Sequence, residues 1–285
     1  MARKPPLVVA IARLAVEAAS RELPDYSCPK SPRRYTQPQL LACLVLRAHL
    51  KLTYRQTTEL LECSDGLRDA LGLRGAVPRH TTLDLFAARV ATPALLDRVV
   101  AAVLALDGRP VADVAVDSTG LAPTRASAHY LARSGRRGGH YVKLSVVVAC
   151  TLLLPVTMAL ALGPGNDLCE ARELLWRASG RCAPAAAYLD AGYDAEWLHG
   201  LLRDGMGCRS FVPPVVRTAD GTVRTRYRSQ CHARGMPEAY GRRWHVESFF
   251  SGLKRSTGSA LAARSDAARF TEAAVRVLAY AARRA

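Results

Sequence analysis

One uncharged stretch, Leu144 to Gly165, decides the fold class predicted for this 285-residue chain. It reads LSVVVACTLLLPVTMALALGPG. As a helix, it would be long enough to cross a bilayer. It is, however, rich in β-branched residues, which favour strands, and Pro155 would break a helix near its middle. We therefore predict two buried strands joined around residues 153–155, and no membrane span.

The chain before this stretch has helical periodicity. Apolar residues recur at three- and four-residue spacing over residues 37–49, 54–62 and 81–90. Thr53 and Thr81 are suited to cap the second and third of these helices. We predict a small all-α domain over residues 1–109 with a helix-turn-helix-like element, in which Arg79 and His80 would contact DNA. Plain helix packing is the alternative.

After residue 110, short apolar runs alternate with helical stretches. Beside the two strands of the uncharged stretch, the predicted elements are a strand at 111–116, a helix at 167–179, a strand at 185–189, a helix at 195–204 and a strand at 208–212. This order is typical of an α/β domain, here over residues 110–285, whose sheet is mixed because its early strands form a hairpin. The region 213–238 reads as an arginine-rich loop, with a possible small hairpin at residues 215–225.

The charge of the chain favours a polyanionic partner. Lys and Arg number 40 against 24 Asp and Glu, which gives a formal net charge of +16 and points to nucleic acid. A solvated basic surface is the alternative. Candidate phosphate contacts are Arg136 and Arg137, in a segment without acidic residues, and Arg224 and Arg226, in the arginine-rich loop.

The cysteines and loop motifs exclude several classes of protein. The eight cysteines include no C-x-x-C pair, so neither a zinc cage nor a disulfide framework is predicted, and idle thiols in a reducing compartment are the simpler interpretation. Cys231 and His232 have no second pair of metal ligands beside them. The sequence also contains no dinucleotide-binding glycine loop, no Walker motif and no Gly-x-Ser-x-Gly serine.

Two carboxylates follow apolar strands. Asp117 comes after residues 114–116, and Asp190 comes after residues 187–189. Ligands collect at strand ends in α/β sheets, and two buried acids at such a place suggest a divalent metal. A turn-forming role is the alternative for both. For Asp194, a helix cap is predicted, with a supporting role near the site as the alternative.

A third element reads YGRRWHVESFFSGLK from Tyr240 to Lys254. On a single helix, Tyr240, Arg243, Glu247 and Lys254 fall within an arc of about 60°. An adjoining apolar stripe, predicted to pack against the sheet, is formed by Val246, Phe249, Phe250 and Leu253. Ordinary ion pairing between Arg243 and Glu247 is an alternative that leaves the other two polar residues without a role.

The spacing of Tyr240, Arg243, Glu247 and Lys254 resembles the signature of the bacterial insertion-sequence DDE transposases. The blocks Val-Asp117-Ser-Thr-Gly and Leu-Asp-Ala-Gly-Tyr-Asp194, with the basic run that leads into residues 141–145, are similar to the first two catalytic blocks of that family. The resemblance covers roughly residues 36–280. It implies a ribonuclease H-like catalytic fold.

The resemblance also implies a site and a reaction. The catalytic residues, and the ligands of two Mg²⁺ ions for which Mn²⁺ can substitute, would be Asp117, Asp190 and Glu247. The enzyme would cut a strand at the element end and then use the freed 3′-hydroxyl to attack target DNA, in cut-and-paste transposition. Tyr240, Arg243 and Lys254 would position the phosphates. The partners would be the terminal inverted repeats and the target DNA, bound by a homodimer in the bacterial cytoplasm at the nucleoid.

One departure and two alternatives limit this interpretation. Only 57 positions separate Asp190 from Glu247, which leaves no room for the β-rich insertion of some relatives, so a DNA hairpin intermediate is not implied. The chain could instead be a catalytically inactive, sequence-specific DNA-binding protein of transposase descent, or a ribonuclease H-like nuclease without strand transfer. The intact set of three acids disfavours the first alternative, because a pure DNA-binding protein gains nothing from carboxylates that face phosphate.

Overall fold

The computed structural model describes residues 5–123 and 141–285, and these form two compact units. The sheet unit comprises residues 109–120 and 143–251. The helical unit comprises the described residues of 5–108, 121–142 and 252–285. Arg136 and Arg137, two of the predicted phosphate contacts, lie outside the described residues.

The helical unit contains most of the helices that the structure describes. They are α1 (Leu7–Glu22), α2 (Gln37–His49), α3 (Tyr54–Cys63), α4 (Asp65–Leu71), α5 (His80–Arg89), α6 (Pro93–Asp107) and the C-terminal α11 (Asp266–Arg284). Thr53 caps α3 as predicted, in a capping box with Gln56. The predicted cap at Thr81 is wrong, because α5 begins at His80 and its N-cap is Arg79. The Arg79 carbonyl accepts the first hydrogen bonds of the helix, from the N–H groups of Thr82 and Leu83.

The core of the helical unit forms around α2, which is buried along most of its length. Helix α11 packs against α1, α2 and α6, so the last helix of the chain lies with the N-terminal ones. Gly252 permits a close approach to this helix, since a Cβ there would lie 2.2 Å from the Tyr280 hydroxyl. The domain boundary between residues 109 and 110 stays a prediction.

The strands of the described residues form one mixed sheet. Its strands are β1 (Asp113–Pro123), β2 (Tyr141–Ala149), β3 (Leu154–Gly163), β4 (Ala186–Leu189), β5 (Arg209–Phe211) and β6 (Ala260–Leu261). The order is β3-β2-β1-β4-β5, and β6 pairs with the end of β1. Strand β4 is parallel to both β1 and β5, whereas the four-residue connection between β2 and β3 permits only an antiparallel pair. The predicted α/β class with a mixed, ribonuclease H-like sheet after an all-α region is confirmed.

The uncharged stretch forms β2 and β3, as predicted. The two strands are joined by a turn in which Leu153 has a φ of 52°. Pro155 lies in β3 at the edge of the sheet, the position in a sheet where proline is tolerated. Within the described part of the chain, no helix is long and apolar enough to cross a membrane.

Further helices accompany the sheet. They are α7 (Leu168–Ser179), which packs against β3, α8 (Glu196–Gly200), α9 (Arg226–Arg234) and α10 (Trp244–Thr257). A π-helical turn, Leu201–Gly205, continues α8. The hairpin predicted at residues 215–225 is wrong: Thr218 donates to the carbonyl of Thr222, Gly221 donates to that of Thr218, and this closed turn is not followed by paired strands.

Candidate active site

Asp117 and Asp190 are brought side by side by two neighbouring parallel strands. Val116 of β1 is in register with Leu189 of β4, so the two aspartates are the next pair along these strands. Asp190 directly follows β4, as predicted. The expectation that Asp117 ends its strand is wrong, because β1 also pairs with β2 along its other edge and continues to Pro123.

The environment of Asp117 disfavours its ionised form. Its side chain is 18% exposed. Burial raises the pKa of Asp117 from 3.8 to about 6, the charges of Asp190 and Asp167 add to the rise, and the N–H of Ser118 and the guanidinium of Arg243 oppose it. Asp117 is therefore a carboxylate that a bound cation would stabilise.

Asp190 is held by the turn that follows it. Its Oδ1 accepts a hydrogen bond of 2.8 Å from the N–H of Gly192 and so caps a short 3₁₀ helix, Ala191–Tyr193. A Cβ at residue 192 would lie 3.0 Å from this oxygen, which explains why a glycine fits here. The turn-forming role, posed as an alternative to a catalytic one, is thus present in the same residue.

Glu247 is joined to Asp117 through Arg243. The Nη2 atom of Arg243 lies 2.5 Å from Glu247 Oε1, and its Nη1 lies 3.1 Å from Asp117 Oδ2. The ion pair expected between residues four apart is therefore present, and it extends to the strand carboxylate. Arg243, predicted to face phosphate, is engaged by two acids in the structure.

Tyr240 completes this group. Its hydroxyl donates to the carbonyl of Leu189, the residue before Asp190, at 3.0 Å. Burial raises the pKa of Tyr240, the charge of Arg243 lowers it, and the charges of the three carboxylates raise it further. The Tyr240 hydroxyl therefore lies near all three acids. Tyr240 and Arg243 are not on α10, as the single-helix projection assumed, but in a 3₁₀ helix, Glu238–Arg243, whose three-residue turn keeps them on one side. The predicted apolar stripe of α10 is buried: Val246, Phe249, Phe250 and Leu253.

The other predicted DNA contacts are placed separately. Lys254 lies two turns beyond Glu247 on α10, in the helical unit, where burial lowers its pKa. Arg79 is exposed at the start of α5, and His80 is the first residue of that helix. The exposed Arg224 is paired with Asp220 at 2.5 Å. Arg226 begins α9, with its guanidinium over the ring of Tyr227 at 4.6 Å.

Sequence reasoning missed the contacts among four residues near Asp117. Ser118 Oγ donates to Asp167 Oδ1 at 2.5 Å. Lys143 is only 3% exposed, with its Nζ 2.6 Å from Glu170 Oε2 and 3.5 Å from Asp167 Oδ1. The one available signal was that Asp167 is the first acid after Asp117 in the sequence.

Asp194 anchors the arginine-rich loop. It is fully buried and accepts hydrogen bonds from Arg228 Nε at 2.8 Å, Arg228 Nη2 at 2.7 Å and the N–H of Val215 at 2.8 Å. A capping role for its side chain is wrong, since Ala195 occupies the N-cap position of α8 and the Asp194 carboxylate contacts Arg228 of α9 instead. Only the backbone of Asp194 caps a helix, at the end of the 3₁₀ helix Ala191–Tyr193. Its supporting role near the site stays a prediction.

The donor set suits a hard divalent cation. Carboxylate oxygens are the ligands that Mg²⁺ prefers. Asp117 lies close to Asp190 and Asp167, and a cation would offset the repulsion among their negative charges. Arg243 supplies part of that positive charge. Across residues 5–123 and 141–285, no three His, Cys, Asp or Glu side chains form a group that could bind one ion together. All eight cysteines are free thiols.

Comparison with known proteins agrees with this geometry. A family model described as "Transposase DDE domain" matches residues 112–282, a range that includes Asp117, Asp190 and Glu247. A search of curated proteins and a search of solved structures each found no match. Because the family model covers more than half of the chain, the chain belongs to the DDE transposase family.

Proposed function

We propose that the protein is the transposase of an insertion sequence, from the branch with the Tyr-Arg-Glu-Lys signature, which cleaves DNA at the element ends and joins the 3′-hydroxyl to target DNA. The observation that carries this proposal is the pair of Asp117 and Asp190 on adjacent strands, with Glu247 linked to Asp117 through Arg243. Membership of the DDE transposase family supports it.

In this proposal, Asp117, Asp190 and Glu247 are the catalytic residues and would hold Mg²⁺, with Mn²⁺ as a substitute, after a rearrangement that draws the three acids together, because Arg243 lies between Asp117 and Glu247 in the structure. When bound, two divalent ions supply activation of the attacking hydroxyl and stabilisation of the leaving oxygen in phosphodiester chemistry. The rigid strands fix Asp117 and Asp190, and Tyr240 holds the chain at Leu189, directly before Asp190. Arg243 neutralises Asp117 and Glu247 before DNA is bound, and its planar guanidinium is suited to exchange a carboxylate for a phosphate.

DNA binding in this proposal is electrostatic at first contact. The formal charge of +16 attracts the phosphate backbone. The residues proposed to contact phosphate are Arg79, His80, Arg224, Arg226, Tyr240, Arg243 and Lys254, together with Arg136 and Arg137. The partners are the terminal inverted repeats and the target, and synapsis of two ends calls for a homodimer. The protein would act at the bacterial nucleoid.

The direct test is end cleavage and joining by wild type and by Glu247→Gln. DNA that carries the ends flanking the gene is incubated with Mg²⁺, and cut and joined strands are separated on gels. We expect both products from wild type and at least about 100-fold less from Glu247→Gln, with DNA affinity retained. Glu173→Gln is the matched control, since it removes an exposed carboxylate on α7.

Each of the other outcomes would indicate a different function. Binding without any cutting by wild type would favour an inactive DNA-binding protein, and cutting without joining would favour a nuclease. Undiminished products from Glu247→Gln would remove this residue from the catalytic set.

Replacement of Arg226 by Ala should weaken DNA binding without affecting one sequence more than another. Arg226 is exposed at the start of α9, and loss of one phosphate contact should lower the slope of log K against log salt by about one. Arg224→Ala should have a smaller effect, because its guanidinium is already paired with Asp220. Fluorescence anisotropy at several salt concentrations measures both slopes, with Arg98→Ala, whose guanidinium is paired with Glu22, as the control. Slopes equal to that of wild type would exclude this region from the DNA interface.

A further inference from the structure

Behind Asp117 lies a group of four polar residues to which the proposed function gives no role: Ser118, Lys143, Asp167 and Glu170. Ser118 links this group to the candidate site through two hydrogen bonds. Its backbone N–H donates to Asp117 Oδ1 at 2.7 Å, and its hydroxyl donates to Asp167 Oδ1 at 2.5 Å. The orientation of Asp117 is therefore tied to the position of Asp167.

The position of Asp167 is in turn set by the buried Lys143. Besides its contacts with the carboxylates of Asp167 and Glu170, Lys143 Nζ donates to the carbonyls of Asn166 at 2.9 Å and Gly165 at 3.3 Å. A buried ammonium is stabilised only when such partners are in place. The segment that carries Asp167 is thereby fastened to β2, the strand next to β1.

The negative charge of Asp167 repels that of Asp117, and a residue that served only to hold Ser118 would not need this charge. Asp167 lies close enough to Asp117 for its charge to disfavour the ionised carboxylate, and an asparagine could accept the Ser118 hydrogen bond without this repulsion. The fully buried Tyr193, near Asp117, Asp167 and Asp190, has no hydrogen-bond partner for its hydroxyl in the described chain. The surroundings of these carboxylates are thus left with unfavourable charge and an unsatisfied polar group, both of which a bound cation would help to offset.

We propose that Asp167 is a positioning residue of the active site, which orients Asp117 through Ser118 and adds negative charge that strengthens cation binding. Lys143 is its anchor. The inference rests on the proposed role of Asp117 and assigns no direct contact with DNA or with the cation to Asp167. Cation affinity in such sites rises with the number of nearby carboxylates, and outer partners of the ligands typically change it by about 10- to 100-fold.

The test separates the charge from the hydrogen bond. Asp167→Asn removes the charge but keeps an acceptor, Ser118→Ala removes the hydrogen bond but keeps the charge, and Ser118→Thr restores the hydroxyl. Calorimetric titration of the DNA-free protein with Mg²⁺ should show affinity about 10-fold weaker for both Asp167→Asn and Ser118→Ala, and close to wild type for Ser118→Thr. Glu173→Gln, a carboxylate lost from the exposed face of α7, should stay within about twofold of wild type.

A second readout distinguishes positioning from general damage. In the cleavage assay, both variants should need about 10-fold more Mg²⁺ for half-maximal rate, with a smaller loss at saturating Mg²⁺. If Asp167→Asn fails to fold because Lys143 loses a counter-charge, Ser118→Ala carries the test, since it leaves that ion pair intact.

Asp117→Asn, measured alongside, keeps the two proposals apart. Mg²⁺ affinity and cleavage that are unchanged by Asp117→Asn would overturn the proposed function. Loss of both by Asp117→Asn, with wild-type Mg²⁺ affinity for Ser118→Ala and Asp167→Asn, would overturn only the role of Asp167. Failure of Ser118→Thr to recover what Ser118→Ala loses would also overturn it.

Discussion

Replacement of Asp117 by Asn should abolish DNA cleavage and at the same time raise the melting temperature of the metal-free protein. The stability gain is expected because the folded protein holds this carboxylate in a mostly buried place beside two other acids, where burial raises its pKa to about 6. The unfolded chain leaves the same group in water. Asn has nearly the same shape and can still accept the hydrogen bond from the N–H of Ser118, although its amide N–H₂ group then faces Arg243.

The size and the pH dependence of this gain follow from the pKa. A rise from 3.8 to about 6 corresponds to roughly 3 kcal/mol of destabilisation by the ionised group at neutral pH. This net value already includes the ion pair with Arg243, and for a chain of this size it corresponds to a rise in melting temperature of about 5 °C. The difference should be full above pH 6 and should vanish as the pH falls toward 4, where wild-type Asp117 takes up a proton itself.

Two measurements on the same preparation check this prediction. Thermal unfolding in EDTA at several pH values gives the stability difference, and cleavage of end-containing DNA should fall by about 1,000-fold or more. Glu173→Gln, with an exposed carboxylate, should change neither. A variant that is inactive and also less stable than wild type would mean that Asp117 supports the fold, and the catalytic assignment would fail.

Those parts of the molecule that depend on local sequence could be predicted. The β-branched residues and Pro155 favour two strands whatever the rest of the fold is. Asp117 and Asp190 each come after an apolar run, and they lie close together in any sheet in which the two runs are parallel neighbours. The pairing of Arg243 with Glu247 also needs only helical spacing. Its extension to Asp117 could not be predicted, because it depends on where α10 meets the sheet.

What could not be predicted depends on tertiary contacts or on weak patterns. The ion pairs of Lys143 could not be predicted, since only the folded chain brings Asp167 and Glu170 against it. Helix α9 was missed because its buried residues are only Tyr227 and Cys231, one turn apart, within an otherwise polar run. Two apolar residues do not establish a helical period.

Replacement of Asp194 by Asn should have the opposite effect on stability and lower the free energy of unfolding by about 3–5 kcal/mol. Asp194 is fully buried and accepts two hydrogen bonds from the guanidinium of Arg228, whose side chain is only 12% exposed. Asn can accept from Val215 but presents an N–H₂ group to one nitrogen of the guanidinium. The variant would leave Arg228 without the carboxylate that pairs with its guanidinium, and this is the costly result of breaking a buried pair from one side.

The pH dependence should also be opposite to that of Asp117. Burial alone would raise the pKa of Asp194, but hydrogen bonds from Arg228 and Val215 lower it below its ordinary value. Its contribution to stability is therefore present above about pH 4, the pKa of an Asp in the unfolded chain, and is lost as the pH falls through the lower value of the folded state. The difference between wild type and Asp194→Asn should stay constant from neutral pH down to about 4 and shrink below it.

Urea unfolding at pH 7 and pH 3 measures this effect, and Asp220→Asn is the matched control. Asp220 also pairs with an arginine, but the pair is exposed and solvated, so its loss should leave the unfolding midpoint unchanged. Hydrogen exchange should show lower protection in α9, which Asp194 fastens to the segment that follows Asp190. An unfolding free energy within about 1 kcal/mol of wild type would show that the pair with Arg228 does not anchor this region. Opposite signs for Asp117→Asn and Asp194→Asn would distinguish an acid that the fold holds at a cost, as a catalytic site requires, from an acid that the fold itself needs.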